Sequence, residues 1–168
     1  ENLMWQQVRI LEYLNETPVV QFMFPETEAD DVIAYVSNYH QFDDWHKVVV
    51  SSDKDFFQIC GDSTVLYRPI QDEIVNKNAI VEKFLIHPNN FALARALAGD
   101  KSDNLPGVPG VGLATAAKRL PFLVEEKSYM VSELEDYCEE RKDEKVRFYR
   151  NVLDNIELIK INYKVMQL

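Results

Sequence analysis

Lys47-Val48-Val49-Val50-Ser51-Ser52-Asp53-Lys54-Asp55 is the stretch on which the fold turns. Three consecutive valines favour a strand, β-branched and apolar as the strands of parallel sheets tend to be. The serines close that run, and Asp53 and Asp55 open a short helix predicted over 53–59. In open α/β sheets ligands collect outside the carboxyl ends of the strands, so acids directly after such a strand mark the place to look for a site.

On the N-terminal side, Pro18-Val19-Val20-Gln21-Phe22-Met23-Phe24 is a second apolar run, consistent with a buried strand stopped by Pro25. Thr27 is then expected to N-cap a helix over 28–39. Residues 2–14 read as a helix with Leu3, Val8, Leu11 and Leu14 on one side. On the C-terminal side, Thr64-Val65-Leu66-Tyr67 is a third strand, and residues 78–84 and 90–99 are helical. A Gly/Pro-rich turn over 104–112 opens into a helix over 113–120, and a charged helical stretch runs on to about residue 150. Helix and strand in alternation predict an α/β fold with a parallel sheet flanked by helices, ending near residue 77. A helical region over 78–168 follows.

Composition agrees with a globular chain: 168 residues, 46% hydrophobic and 27% charged, enough for a single core. No apolar run approaches the length of a membrane span, and Glu1-Asn2-Leu3-Met4-Trp5 has neither the basic nor the apolar region of a signal peptide. Cys60 and Cys138 show no metal-ligand or disulfide spacing, so a reducing cytoplasm is the expected setting and no membrane partner is expected. The net charge of −10 argues against a nucleic-acid partner unless cations reverse the field at an acidic site, or basic surface lies in residues outside this chain. Residue 1 is Glu and not Met, which favours a processed or partial product of something longer.

Acids gather in three places. Glu28-Ala29-Asp30-Asp31 follows the first predicted strand, Asp53-Lys54-Asp55 the second, and Asp100-Lys101-Ser102-Asp103 the helix ending in Ala96-Leu97-Ala98-Gly99. Each alone reads equally well as a helix start or a polar loop, since acids suit the first turn of a helix. Together they fit hard divalent cations, which take oxygen ligands, keep several waters and leave room for phosphate. Two such ions about 4 Å apart can clamp the attacking and leaving oxygens of a phosphodiester.

Asn104-Leu105-Pro106-Gly107-Val108-Pro109-Gly110-Val111-Gly112 leads into a helix made slim by Ala114, Ala116 and Ala117 and carrying Lys118 and Arg119. Glycines let backbone amides approach a phosphate closely, and no acid occurs from Asn104 to Leu123. A tight helix–helix connection explains the same residues. A grip made by backbone alone would hold duplex without reading its sequence. His40, His46 and His87 lie near none of these motifs.

The three acidic motifs in series, with Ser52-Asp53-Lys54-Asp55-Phe56 and the long run from Gly99 to Gly112, resemble the 5′-nuclease (flap endonuclease) family. The resemblance is to its bacterial and bacteriophage branch, including the 5′-exonuclease domain of DNA polymerase I. It covers roughly residues 18–122 and extends more loosely to about 160. It implies a PIN-like α/β fold followed by a helix–three-turn–helix motif over about 90–122, two Mg²⁺ ions with Mn²⁺ as a substitute, and cleavage at 5′ ends, flaps and single-strand–duplex junctions of DNA. RNA–DNA hybrids fit as well. Asp30, Asp53 and Asp55 become the catalytic carboxylates, and Glu28, Asp31, Asp100 and Asp103 complete the metal set. Gly107, Val108, Gly110, Val111 and Gly112, with Lys118 and Arg119, become the duplex-holding loop, where a K⁺ is expected between carbonyls and phosphate. The cytoplasm of a bacterium or a phage-infected cell is the implied setting. Family members also begin with a strand bearing an aspartate ligand and carry a basic arch, and nothing before Glu28 supplies either. A missing or separate N-terminal segment is therefore expected. Two other functions remain open: a non-catalytic DNA-junction binding module, against which the full set of acids speaks, and a PIN-type ribonuclease, which the glycine turn disfavours.

Overall fold

The structure, a computed structural model, describes residues 2–168. Its sheet grows from the valine run. Strand β1 (Lys47–Val50) pairs in parallel with β2 (Thr64–Arg68), Lys47 opposite Thr64 and Val50 opposite Tyr67. A third strand, β3 (Glu73–Val75), returns antiparallel beside β2. It went unseen in the sequence because three residues are too few for an alternation to register. The sheet is therefore mixed, in the order β1-β2-β3.

The strand expected over 18–24 does not form. Its apolar side chains are exposed, Phe22 at 65% and Met23 at 93%. A strand needs a neighbour to take its N–H and C=O groups, and none lies beside this segment. Phe22, Met23 and Phe24 instead border an open cavity of about 780 Å³, across from Val48 and Val50 on β1. Helix α1 (Asn2–Asn15) forms as its periodicity predicts, yet none of its side chains is buried. Helix α2 (Ala29–Ser37) is shorter than the 28–39 expected. Glu28, not Thr27, occupies its N-cap without a capping side-chain bond, and the Thr27 hydroxyl donates to the Pro25 carbonyl at 3.4 Å.

Helix α3 (Lys77–Phe84) is capped by Asn76, whose side chain accepts from the Ala79 N–H at 2.9 Å. Helix α4 (Phe91–Ala98) is the axis of the molecule. Its residues are strong helix formers, and all but Arg95 and Ala98 are buried, as befits a helix apolar nearly all round. It packs on α5 (Leu113–Arg119) and α8 (Ile156–Met166), with α6 (Val131–Glu139) and α7 (Arg147–Asp154) outside. One continuous core runs from Leu66 in the sheet through Leu93 and Leu97 to Leu134, Val152 and Ile159. Helix α8 lies past the point where the sequence reading could place turns, because the charged stretch before it masks the pattern.

Asn162 on α8 is 1% exposed, and its amide donates to the Ala96 carbonyl at 3.1 Å and the Pro106 carbonyl at 2.8 Å. Both polar partners are thereby satisfied in a dry place. The same contact clamps the chain on either side of the acidic loop between α4 and α5.

Candidate functional site

Three separate elements bring acids toward the carboxyl end of β1. As the chain leaves β1, the Asp53 N–H donates to Ser51 Oγ at 3.1 Å and the Asp55 N–H donates to Asp53 Oδ1 at 2.9 Å. These bonds fix a turn ahead of the 3₁₀ helix Asp55–Ile59. Helix α2 packs on that 3₁₀ helix and offers Asp30 and Asp31 from its first turn, where the helix dipole favours anions. A two-residue ribbon, β4 (Gly99–Asp100) against β5 (Leu105–Pro106), carries Asp100 and holds the loop bearing Asp103.

The acids feel one another. Burial pushes the Asp30 carboxyl above its ordinary range, and Asp53, Asp31 and Asp103 push it further. Asp55 is pushed up to about 6, mainly by burial; the Arg95 guanidinium opposes this, while Asp53, Asp100 and Asp103 add to it. Asp100 goes the other way. The Ser102 hydroxyl is the main cause of its lowering; the Ser102 N–H, donating at 2.7 Å, and Arg95 add to this. Six of the seven acids singled out in the sequence therefore form one electrostatic cluster. Glu28 sits exposed at the N-cap of α2 and is not among the charges acting on Asp30 or Asp55.

Sequence reasoning missed Arg95. Its Nη2 lies 2.9 Å from Asp55 Oδ1 and closer still to Asp100 Oδ2. The available signal was a single charge in an otherwise apolar helix, Phe91-Ala92-Leu93-Ala94-Arg95-Ala96-Leu97-Ala98. Despite the short distance, Asp55 Oδ1 is buried without a hydrogen-bond donor, because Arg95 meets it off the bonding direction.

Among the described residues no three His, Cys, Asp or Glu side chains close into a ready cage for an ion. The donor set nonetheless fits a hard divalent cation. It is all carboxylate oxygen, one of those oxygens is buried and accepts no hydrogen bond although Arg95 lies beside it, and such ions take one or two carboxylates each and complete their shells with water. Asp55 then gives a pH prediction for the metal-free chain. Its folded pKa, about 6, lies above the ordinary 3.8, so between these values the folded chain binds more protons than the unfolded. Its contribution to stability is fully present below that window and is lost as pH rises through about 6. Cations take the deprotonated form. The rise in melting temperature on adding Mg²⁺ should thus be small near pH 5 and grow above pH 6, as read by thermal denaturation with and without EDTA. Equal gains on both sides would remove Asp55 from the ligand set.

At the glycine turn the chain crosses itself. A Cβ on Gly107 would stand 2.2 Å from the Ala98 carbonyl oxygen, and one on Gly99 2.2 Å from the Gly107 nitrogen. Val108 and Val111 are buried, and their N–H groups are used internally, donating to the Leu97 carbonyl at 2.8 Å and the Val108 carbonyl at 3.0 Å. The backbone N–H groups of Gly110 and Gly112 have no acceptor among the described residues. Lys118 is exposed and Arg119 half-exposed on the last turn of α5. Asn151 on α7 braces the turn by donating to the Pro109 carbonyl at 2.8 Å.

Residues 1–85 match the family model described as the 5′-3′ exonuclease, N-terminal resolvase-like domain. A 5′-3′ exonuclease of Aquifex aeolicus is 36% identical over 107 residues, covering 64% of this chain and 37% of that protein. DNA polymerase I of Mycobacterium tuberculosis is 43% identical over 98 residues, covering 56% of this chain and 11% of that protein. Among solved structures, the flap endonuclease of bacteriophage T5, in a pseudo-enzyme–product complex with DNA and metal ions, superposes with a TM-score of 0.77 at 18% identity. That match covers 96% of this chain and 57% of the phage chain, and it shows the fold. The chain thus spans only part of the length of its relatives, about a third of the Aquifex protein. With the family model matching residues 1–85, half its length, this chain belongs to the 5′-3′ exonuclease family.

Proposed function

We propose that this chain carries the metal centre and duplex-holding turn of a divalent-metal-dependent 5′ nuclease, cleaving phosphodiesters at 5′ ends, flaps and junctions of DNA. The observation that carries it is the convergence of acids from α2, the turn after β1 and the loop after α4, around a half-buried Asp55. Glu28, Asp30, Asp31, Asp53, Asp55, Asp100 and Asp103 are the proposed ligand pool. Within it Asp30, Asp53 and Asp55 lie closest to the chemistry. Two Mg²⁺ ions, replaceable by Mn²⁺, would supply activation of water and neutralisation of charge at the scissile phosphate. The residues themselves orient that site and, through burial and mutual repulsion, hold carboxylates eager for a cation. That a flap endonuclease with this fold has been captured with DNA and metal ions supports the reading.

On this reading residues 1–77 are the C-terminal part of the PIN-like nuclease domain and 78–168 the helical region with its helix–three-turn–helix motif. In the turn from Gly107 to Gly112, the free N–H groups of Gly110 and Gly112 and the charges of Lys118 and Arg119 suit a phosphate backbone. Val108 and Val111 contribute only by shaping that backbone, because their side chains are buried. A K⁺ bridging carbonyls and phosphate, and RNA–DNA hybrids as further substrates, belong to the same reading. So does a further segment, in the same polypeptide or supplied separately, to bring the remaining acids and a basic arch.

Mg²⁺-dependent cutting of a labelled 5′-flap DNA by the chain together with that further segment, absent in Asp53→Ala, is the expected result. Failure to cut even after restoring the additional length found in relatives would overturn the proposal in favour of a binding module. Replacing Lys118 and Arg119 together by alanine should weaken binding to every duplex by about the same factor and flatten the dependence of affinity on salt by a slope of about 2. A loss confined to particular sequences, measured by fluorescence anisotropy, would contradict a backbone grip.

A further inference from the structure

Arg95 stands where three elements meet. It projects from α4, while Asp55 begins the 3₁₀ helix after β1 and Asp100 lies on β4. A single nitrogen, Nη2, serves both carboxylates, so the guanidinium occupies the position a cation bridging them would take. Among the described residues, Arg95 is the one cation within ion-pair distance of any of the six clustered acids. All three side chains are largely withdrawn from solvent: Arg95 is 12% exposed, Asp55 17% and Asp100 11%.

The pairing is poorly made for permanence. Arginine holds a carboxylate best through two parallel N–H bonds, and here neither acid is held that way. Arg95 Nε is buried without a partner, and so is Asp55 Oδ1. A buried ion pair stabilises a fold only when its remaining donors and acceptors are satisfied. An arrangement with unsatisfied atoms on both sides is cheap to exchange for a better-matched cation. The long aliphatic stem of arginine can stay packed along α4 while its head swings away.

We propose that Arg95 is an internal counter-cation that competes with divalent ions for Asp55 and Asp100, and so sets the cation concentration at which the acidic cluster loads. The inference rests on the metal-centre reading above. It makes Arg95 a positioning residue. It holds the carboxylates together and quiet before the ions arrive, then gives them up. Two effects of removing its charge should have opposite signs. The metal-free fold should weaken, because Asp55 and Asp100 lose their counter-charge, while affinity for the divalent ion should rise, because its competitor is gone. A mere structural clip would lower both.

The test uses the whole chain, with Mn²⁺ as probe and no nucleic acid. Arg95→Gln keeps side-chain N–H donors and removes the charge. Free Mn²⁺ is counted by electron paramagnetic resonance, and thermal unfolding is followed in EDTA. The expected result is a lower melting temperature in EDTA together with Mn²⁺ binding tighter by on the order of tenfold. Arg95→Lys, which keeps the charge, should bind Mn²⁺ more like the wild type. Unchanged or weaker Mn²⁺ binding by Arg95→Gln, with the wild type still binding, would overturn the role of Arg95 alone. Folded proteins in which neither form binds Mn²⁺ would overturn the metal centre and this inference with it. If Arg95→Gln does not fold, the wild type decides. Its Arg95 Nε–H signal, assigned by its loss in Arg95→Lys, should shift as Mg²⁺ is added. A still signal while the Asp53 and Asp55 amides respond to saturation would overturn the competition.

Discussion

Asp53→Ala and Asp55→Ala should each lower Mg²⁺-dependent cleavage of a 5′-flap DNA by about a thousandfold or more while leaving duplex binding within a few fold. The two losses arise differently. Asp53 uses one oxygen to accept the Asp55 N–H and leaves the rest of its carboxylate to solvent, so its removal deletes a proposed ligand and also loosens the turn that aims Asp55. Asp55 is half-buried with its pKa raised to about 6, so burial disfavours its charge and a cation beside it relieves that cost. Disturbing groups that merely orient a metal ligand costs about 10–100-fold, and deleting a ligand costs more. Single-turnover rates in the shortest form of the protein that cleaves, with binding measured separately in Ca²⁺, give the comparison. Wild-type rates in either variant would remove that residue from the site.

Gly107→Ala should cost about 3 kcal/mol or more and lower the melting temperature by roughly 10 °C. A Cβ there would stand 2.2 Å from the Ala98 carbonyl oxygen and 2.6 Å from the Gly99 nitrogen, and both are backbone atoms that cannot rotate aside. The crossing is further held by Val108 donating to the Leu97 carbonyl and by Asn162 reaching Ala96 and Pro106, so relief at one point strains another. Because the crossing lies between the acidic loop and the glycine turn, Gly107→Ala should weaken cation and duplex binding together. Gly110→Ala is the control. Its φ of +77° makes a side chain strained, but nothing lies within 4 Å of a Cβ, so a loss of only about 1 kcal/mol is expected. Equal urea midpoints for Gly107→Ala and wild type would show that the chain does not cross so closely.

Much of this molecule is legible one residue after another. The valine run forms β1, the alanine- and leucine-rich run forms α4, and Gly99 ends that helix at a φ of +73°. These outcomes depend on properties a residue carries with it: β-branching, helix propensity and freedom of the backbone. The order of the acidic motifs and their placement after β1 and α4 were legible for the same reason. The run 18–24 shows the limit of such reading. It has the composition of a buried strand, yet without a neighbour to bond it stays extended and exposed.

By itself, then, the sequence determined most of the local elements and the family, and it supplied the acids proposed for the site. The tertiary structure decided which acids share a field, since Asp30, Asp53 and Asp103 come together only when α2, β1 and the loop after α4 are packed. Packing left Glu28 exposed at the N-cap of α2, buried the Val108 and Val111 side chains, and set Arg95 between Asp55 and Asp100. The reason is physical. Propensity and patterning act over a few neighbouring bonds, whereas Coulomb forces and desolvation act through space, between residues that the fold alone makes neighbours.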